Sequence, residues 1–336
     1  MRFVLKTLCI TLLISLQTAC TNPQKLADNL EEYRSRVASV LNYSPAQGAQ
    51  VSPLSYPSIR SLKKDIPEIS INLRDFYALQ DCEIMTQIAQ RNTSLGRTQL
   101  PSTRYTYEVS LLQGLSDCTA QMEDAEVKQQ LTFWLDAKTE NLPLIWADLI
   151  QTSEETKLNM SSNDGFIHGD QNDNFNQVYQ ALRYIVDLET QPNSDIEILE
   201  YHLKTLKQNS LLARIWRSQQ LLINQLLLLS EEINQHTKEF NCTTPKQQTT
   251  ATYLNNVFKL FFIEQIQPAA SALNGYQYKL LPLLERLKKS EVIDAALKKL
   301  LSEQRQQFDR YQAVTREHIE IWQKLLKQCG MSPQMQ

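Results

Sequence analysis

The chain has 336 residues, with 34 lysines and arginines against 37 aspartates and glutamates, a formal charge of −3, seven glycines and six cysteines. The mild acidity excludes a surface that attracts polyanions by bulk charge, so no nucleic-acid partner is expected. So few glycines, against a usual share of about 7%, leave little material for β-turns or glycine-rich phosphate loops and favour helices.

Arg2 and Lys6, with no acid beside them, precede an apolar stretch over residues 7–16. That is the layout of a secretory signal, assigned to residues 1–19. The stretch is too short for a spanning helix, which needs about 20 predominantly apolar residues. Thr18-Ala19-Cys20 resembles the lipobox of bacterial lipoproteins, although Gln17 stands where leucine is usual. The resemblance implies cleavage before Cys20, acylation of its thiol and palmitate-type anchoring in the membrane of a bacterial envelope, facing the periplasm. Thr21, where aspartate would retain such a protein in the inner membrane, implies the outer one. Plain secretion is the alternative, but it would put bulky Gln17 where the ordinary peptidase prefers a small residue.

Leu26, Leu30, Tyr33, Val37, Val40 and Leu41 recur at helical spacing directly after Asn22-Pro23, predicting a first amphipathic helix close to the anchor. Pro45, Pro53, Pro57 and Pro67 make residues 44–67 an extended surface segment. Helical patterns follow over 71–91, 105–122 and 127–150, the last with a kink expected near Pro143. Residues 151–174 are the most polar stretch and are read as a linker between an N-terminal sub-bundle, 20–150, and a C-terminal one, 175–336. Beyond it, 175–188 is helical and 196–240 reads as one long helix or two in line. Its apolar run, 221–229, is expected to be the buried centre of a bundle. Residues 253–287 are helical with bends at Pro268 and Pro282, and 292–329 carries the longest uninterrupted pattern. The predicted fold is all-α, an elongated bundle of long antiparallel helices.

Cys9 leaves with the signal and Cys20 is assigned to lipid, leaving Cys82, Cys118, Cys242 and Cys329, an even number in an oxidising compartment. Antiparallel neighbours pair residues equally far from their turn. Cys82 and Cys118 are centred on Leu100, beside Pro101, and Cys242 and Cys329 on the break near Lys288-Lys289-Ser290. Pairing within each half is therefore predicted. No two of these cysteines lie close in sequence, as zinc ligands usually do, and no metal or cofactor is expected.

Phe166-Ile167-His168-Gly169-Asp170 is similar to the catalytic stretch of small-molecule kinases, but Phe175 stands where their magnesium-binding asparagine belongs. Asp170, Asn172 and Asn174 alternate like half an EF-hand, whose glycine and glutamate are then missing. A helix cap near Asp173 or Asn174 explains the stretch better. His202, His236 and His318 fall on separate helices, and Glu317-His318-Ile319-Glu320 reads as a solvated face. The four tryptophans are expected in the core.

The stretch Arg91-Asn92-Thr93-Ser94-Leu95-Gly96-Arg97, followed by Pro101-Ser102, Arg104, Tyr107-Glu108 and Cys118, with Cys82 upstream, resembles a proteobacterial lipoprotein family known as domain of unknown function 3080. The resemblance covers nearly all the mature chain and implies no activity. It directs attention to Arg91, Asn92, Arg97, Arg104 and Glu108 as a binding surface, with the arginines meeting an anionic partner and Glu108 orienting one of them. The competing reading is a helical corner capped by Asn92 or Ser102. The expectation is a membrane-tethered scaffold or binding module, with an envelope protein as a possible partner. The alternatives are an envelope enzyme acting on cell-wall or lipid material and a helical carrier of an apolar ligand.

Overall fold

A computed structural model describes residues 22–48, 50–93, 99–162, 165–169 and 173–331. Cys20 and the signal segment lie outside these residues, as do Arg97 and Asp170. The described chain is an all-α bundle without a strand. In order, α1 is Lys25–Leu41, α2 Ile59–Leu62, α3 Leu73–Tyr77, α4 Ile84–Arg91, α5 Pro101–Gln121, α6 Ala125–Thr152, α7 Glu154–Ser161 and α8 Phe175–Asp187. Then come α9 Ile196–Asn209, α10 Leu211–His236, α11 Pro245–Val257, a π-helical run Phe258–Ile266, α12 Gln267–Lys289 and α13 Ala295–Gln328.

Local chemistry sets most boundaries. The side chains of Asp124, Asp195, Asp294 and Thr244 accept from free backbone amides at the starts of α6, α9, α13 and α11. Pro101 and Pro245 sit in the first turns of α5 and α11, where no amide is needed. Ser210, with φ of 44°, splits the expected 196–240 helix into α9 and α10. Pro143 lies inside continuous α6. The wide π turns end just before Pro268, which cannot donate to the carbonyl four residues earlier.

The α5–α6 hairpin is antiparallel, but α10 and α13 run the same way. Gln307 Nε2 bonds the Trp216 carbonyl at 2.9 Å, and further along both helices His318 Nδ1 meets Ser230 Oγ at 2.8 Å. The chain returns between them through α12, whose Ala270 carbonyl accepts from Tyr311 at 2.9 Å. Disulfides join Cys82 to Cys118 and Cys242 to Cys329, with Cα–Cα distances of 5.6 and 5.1 Å.

The cores do not divide at residues 151–174. One large core takes α1, the end of α6 and nearly everything from Phe166 to Leu326, including Leu221, Leu222, Leu226 and Leu229. A small separate core consists of Leu79, Ile84, Leu111, Leu115, Cys118, Leu131 and Trp134. The segment read as a linker contains α7 and buries Ser153, Thr156, Asn159, Met160, Phe166 and Ile167. Its polar residues lie inside because they are bonded: Asn159 Nδ2 donates to the Leu206 carbonyl at 2.8 Å, and Ile167 N to Ser218 Oγ at 2.9 Å.

The segment also clasps the start of the described chain. Phe166 N donates to the Pro23 carbonyl at 3.0 Å, and His168 Nε2 lies 3.1 Å from the Asn22 carbonyl. Behind His168, Asp173 is wholly buried and accepts from Arg214, with Tyr276 OH at 3.3 Å from its other oxygen. Gly169, at φ 82°, passes so close to the backbone of Pro268 and Ala269 that no side chain fits there. Asn174 begins α8 but directs its amide to Asn209 instead of capping the helix.

Candidate functional site

Two faces of the α5–α6 hairpin carry polar and aromatic residues at helical spacing. On α5 these are Arg104, Tyr107, Glu108, Leu111 and Leu115. On α6, which runs the other way, they are Ile145, Asn141, Lys138 and Trp134. With Ile88 and Arg91 of α4, Asn92 just beyond it and residues 66–71, they line a cleft of about 540 Å³. A second hollow of about 350 Å³, over Gln220, Asn224, Gln307 and Arg310, is walled mainly by amide side chains.

The extended wall is fastened to α6 in steps. Tyr56 OH donates to the Gln151 carbonyl at 3.0 Å, and Gln151 Nε2 to the Leu62 carbonyl at 2.6 Å. Lys64 N donates to Asp148 Oδ1 at 2.7 Å, and Asn141 Nδ2 reaches the Pro67 carbonyl at 3.4 Å. Pro67 has no amide to satisfy, and the wall runs along the helices as irregular backbone. The small core forms the floor, pinned by the Cys82–Cys118 bond.

Four of the five residues expected to form a binding surface, Arg91, Asn92, Arg104 and Glu108, meet in this cleft. The fifth, Arg97, lies outside the described residues. Among the described residues, the buried Glu108 carboxylate accepts from Lys138 Nζ at 2.8 Å and from no arginine, which corrects the role expected of it toward Arg91 or Arg104. The helical-corner alternative holds for one of its two residues: Asn92 is the C-cap of α4, its backbone amide donating to the Ile88 and Gln90 carbonyls, whereas Ser102, inside α5, donates to Glu200 at 2.6 Å.

Arg104 is half-buried, its Nε shut off from solvent without a hydrogen-bond partner among the described residues. Its charge is felt by Asp148, whose carboxyl burial pushes above the usual range while Arg104, Lys63 and Lys64 pull it back. Burial pushes the Tyr107 phenol up to about 12, helped by the charge of Glu108 and opposed by Arg91, so it remains a neutral hydrogen-bonding group. The cleft can thus offer charged and neutral donors above an apolar floor.

Lys138, Asn141, Trp134 and the 66–71 wall were not identified from the sequence. A signal for Lys138 existed: it and Glu108 lie equally far from Glu123 in the α5–α6 turn, the same rule that pairs the cysteines.

The remaining expectations fall elsewhere. Cys242–Cys329 ties the loop before α11 to the end of α13. His236 stacks on Tyr43 at 4.3 Å. The solvated-face reading of His318 is corrected: Glu317 and Glu320 are exposed, but the imidazole is fully buried. Trp134, Trp146 and Trp322 are in the cores, while Trp216 is partly exposed. Among the described residues, no cluster of His, Cys, Asp or Glu is placed to hold a metal ion, and no helix is long and apolar enough to cross a membrane.

The fold and cleft define an all-α bundle with one mixed polar and apolar cleft at its smaller core. The model of the family described as "protein of unknown function (DUF3080)" matches residues 30–333, and the chain belongs to that family. No curated protein and no solved structure matches it.

Proposed function

We propose that this protein is a lipid-anchored binding module of the bacterial envelope, facing the periplasm, whose cleft between α4, α5, α6 and residues 66–71 takes a small ligand. The observation that carries the reading is the convergence of Arg91, Asn92, Arg104 and Glu108, expected from one short stretch of sequence, with Lys138 and Tyr107 on one cleft. Cleft size supports it as well, since ligand pockets run from roughly 300 to 1,000 Å³. The anchoring part of the proposal is supported by the lipobox-like Thr18-Ala19-Cys20.

A photoreactive benzoylphenylalanine placed at Tyr107 in growing cells tests the cleft, with the same group at exposed Tyr253 as control. A tryptic peptide of fixed added mass is expected only at position 107. An adduct at neither site, or equally at both, overturns binding. A palmitate analogue should label the wild type and not Cys20→Ala. Equal labelling of the two overturns the anchor.

A further inference from the structure

We infer that the ligand is an anionic single-chain amphiphile, a carboxylate or phosphate head seated at Arg104 and an alkyl chain laid between the 66–71 wall and the floor of the small core. The inference rests on the binding reading above and adds the ligand class.

Three observations carry it. First, the buried Nε of Arg104 lacks an acceptor among the described residues. Closed to solvent, Nε fixes the guanidinium in place, while its terminal N–H groups, bonded to no carboxylate among the described residues, are the ones a planar or tetrahedral oxyanion can take with two parallel bonds. Second, the lining is graded along α5. Arg104, Tyr107 and Glu108 occupy its first half, and Leu111 and Leu115 its second, over about 16 Å. Opposite the second half stand Trp134 and half-buried Ile69, Ile71 and Ile88, all apolar. Third, the charges select a sign. Arg91, Arg104 and Lys138 line the cleft, against Glu68 and Glu108. Glu108 is already matched by Lys138, and Asp148, which is not part of the lining, gives one oxygen to the Lys64 amide. A cationic head would face the arginines, and an uncharged one would leave the Arg104 N–H without a charged acceptor.

The test uses the full mature protein purified in a nonionic detergent and a diazirine-bearing dodecanoate. Crosslinks are expected in residues 66–71 and in α5. Dodecanoate and dodecyl phosphate should compete, and whichever does so at lower concentration separates a carboxylate from a phosphate ligand. Dodecanol and dodecyltrimethylammonium should compete at least tenfold less well, a charged hydrogen bond being worth about a factor of ten or more. Each methylene removed from dodecanoate should weaken competition by about fourfold. Arg104→Gln, checked for an unchanged melting curve, should lose about tenfold in labelling, and Arg104→Lys less. The inference is overturned by crosslinks elsewhere, by equal competition from dodecanol, by a flat chain-length series, or by a folded Arg104→Gln that labels like the wild type. If the Tyr107 crosslinker captures a ligand and the dodecanoate probe does not label, only the ligand class falls. If both fail, the binding reading falls with it.

Discussion

His318 is surrounded by groups that fix its tautomer. The Trp322 indole N–H can only donate, so Nε2, 3.1 Å away, accepts and the ring hydrogen sits on Nδ1, given to Ser230 at 2.8 Å. Tyr33 OH closes the network at 3.0 Å from Nε2. Burial drives the imidazole pKa down to about 3, whereas an unfolded histidine titrates near about 6.5. Between those values the unfolded chain holds a proton that the folded chain lacks. Stability therefore falls as pH drops through that window, by about 1.4 kcal/mol per pH unit, and this residue contributes no slope above it. Urea midpoints measured from about pH 6 to about pH 4 should show His318→Gln losing one proton's worth of slope. Parallel slopes for variant and wild type would refute the assignment. The sequence hid this residue because its charged neighbours, Glu317 and Glu320, do lie in water. One position on a helix turns inward while those around it do not. Only the register against Ser230 and Tyr33, set by tertiary packing, decides which.

At the level of elements, helical periodicity was a sound guide wherever a helix buries one apolar stripe, as in α1, α8 and α13. It failed for residues 151–174, whose core-facing positions mix apolar Met160, Phe166 and Ile167 with polar side chains such as Gln151 and Asn159, which bond carbonyls of other helices. It was also silent for the 66–71 wall, since an extended segment held by its backbone has no period to read. The cysteine pairing was legible because a hairpin imposes symmetry about its turn. The Cys82–Cys118 bond closes a separation of 36 residues around the small core, and on the chain-entropy model contributes about 4 kcal/mol. Cys82→Ser with Cys118→Ser should lower stability by roughly that amount and raise amide exchange first in α4 and the second half of α5. Unchanged exchange there, with loss spread evenly over α10 and α13, would contradict the two-core description.

On the scale of the whole molecule, the clasp joins distant parts of the chain. Asn22-Pro23, the 165–168 segment, Arg214 on α10 and Tyr276 on α12 all meet around Asp173. Asp173→Ala would leave the Arg214 guanidinium, itself largely buried, without its carboxylate, a change that typically costs about 3 kcal/mol or more. Trypsin should then cut after Lys25 in the variant well before it cuts the wild type, while exchange in the α5–α6 hairpin stays as it was. Equal cleavage rates would mean that the chain start is held by other contacts.

The clasp also sets a length. One residue, Thr21, separates Asn22 from Cys20, a span of at most about 7 Å. Were Cys20 acylated as proposed, the folded body would have almost no leash and would ride on its own leaflet like a float on a short line. It could then neither cross the periplasm nor search the space above it. A ligand of the cleft would have to come to it, through the water layer against that leaflet or out of the leaflet itself.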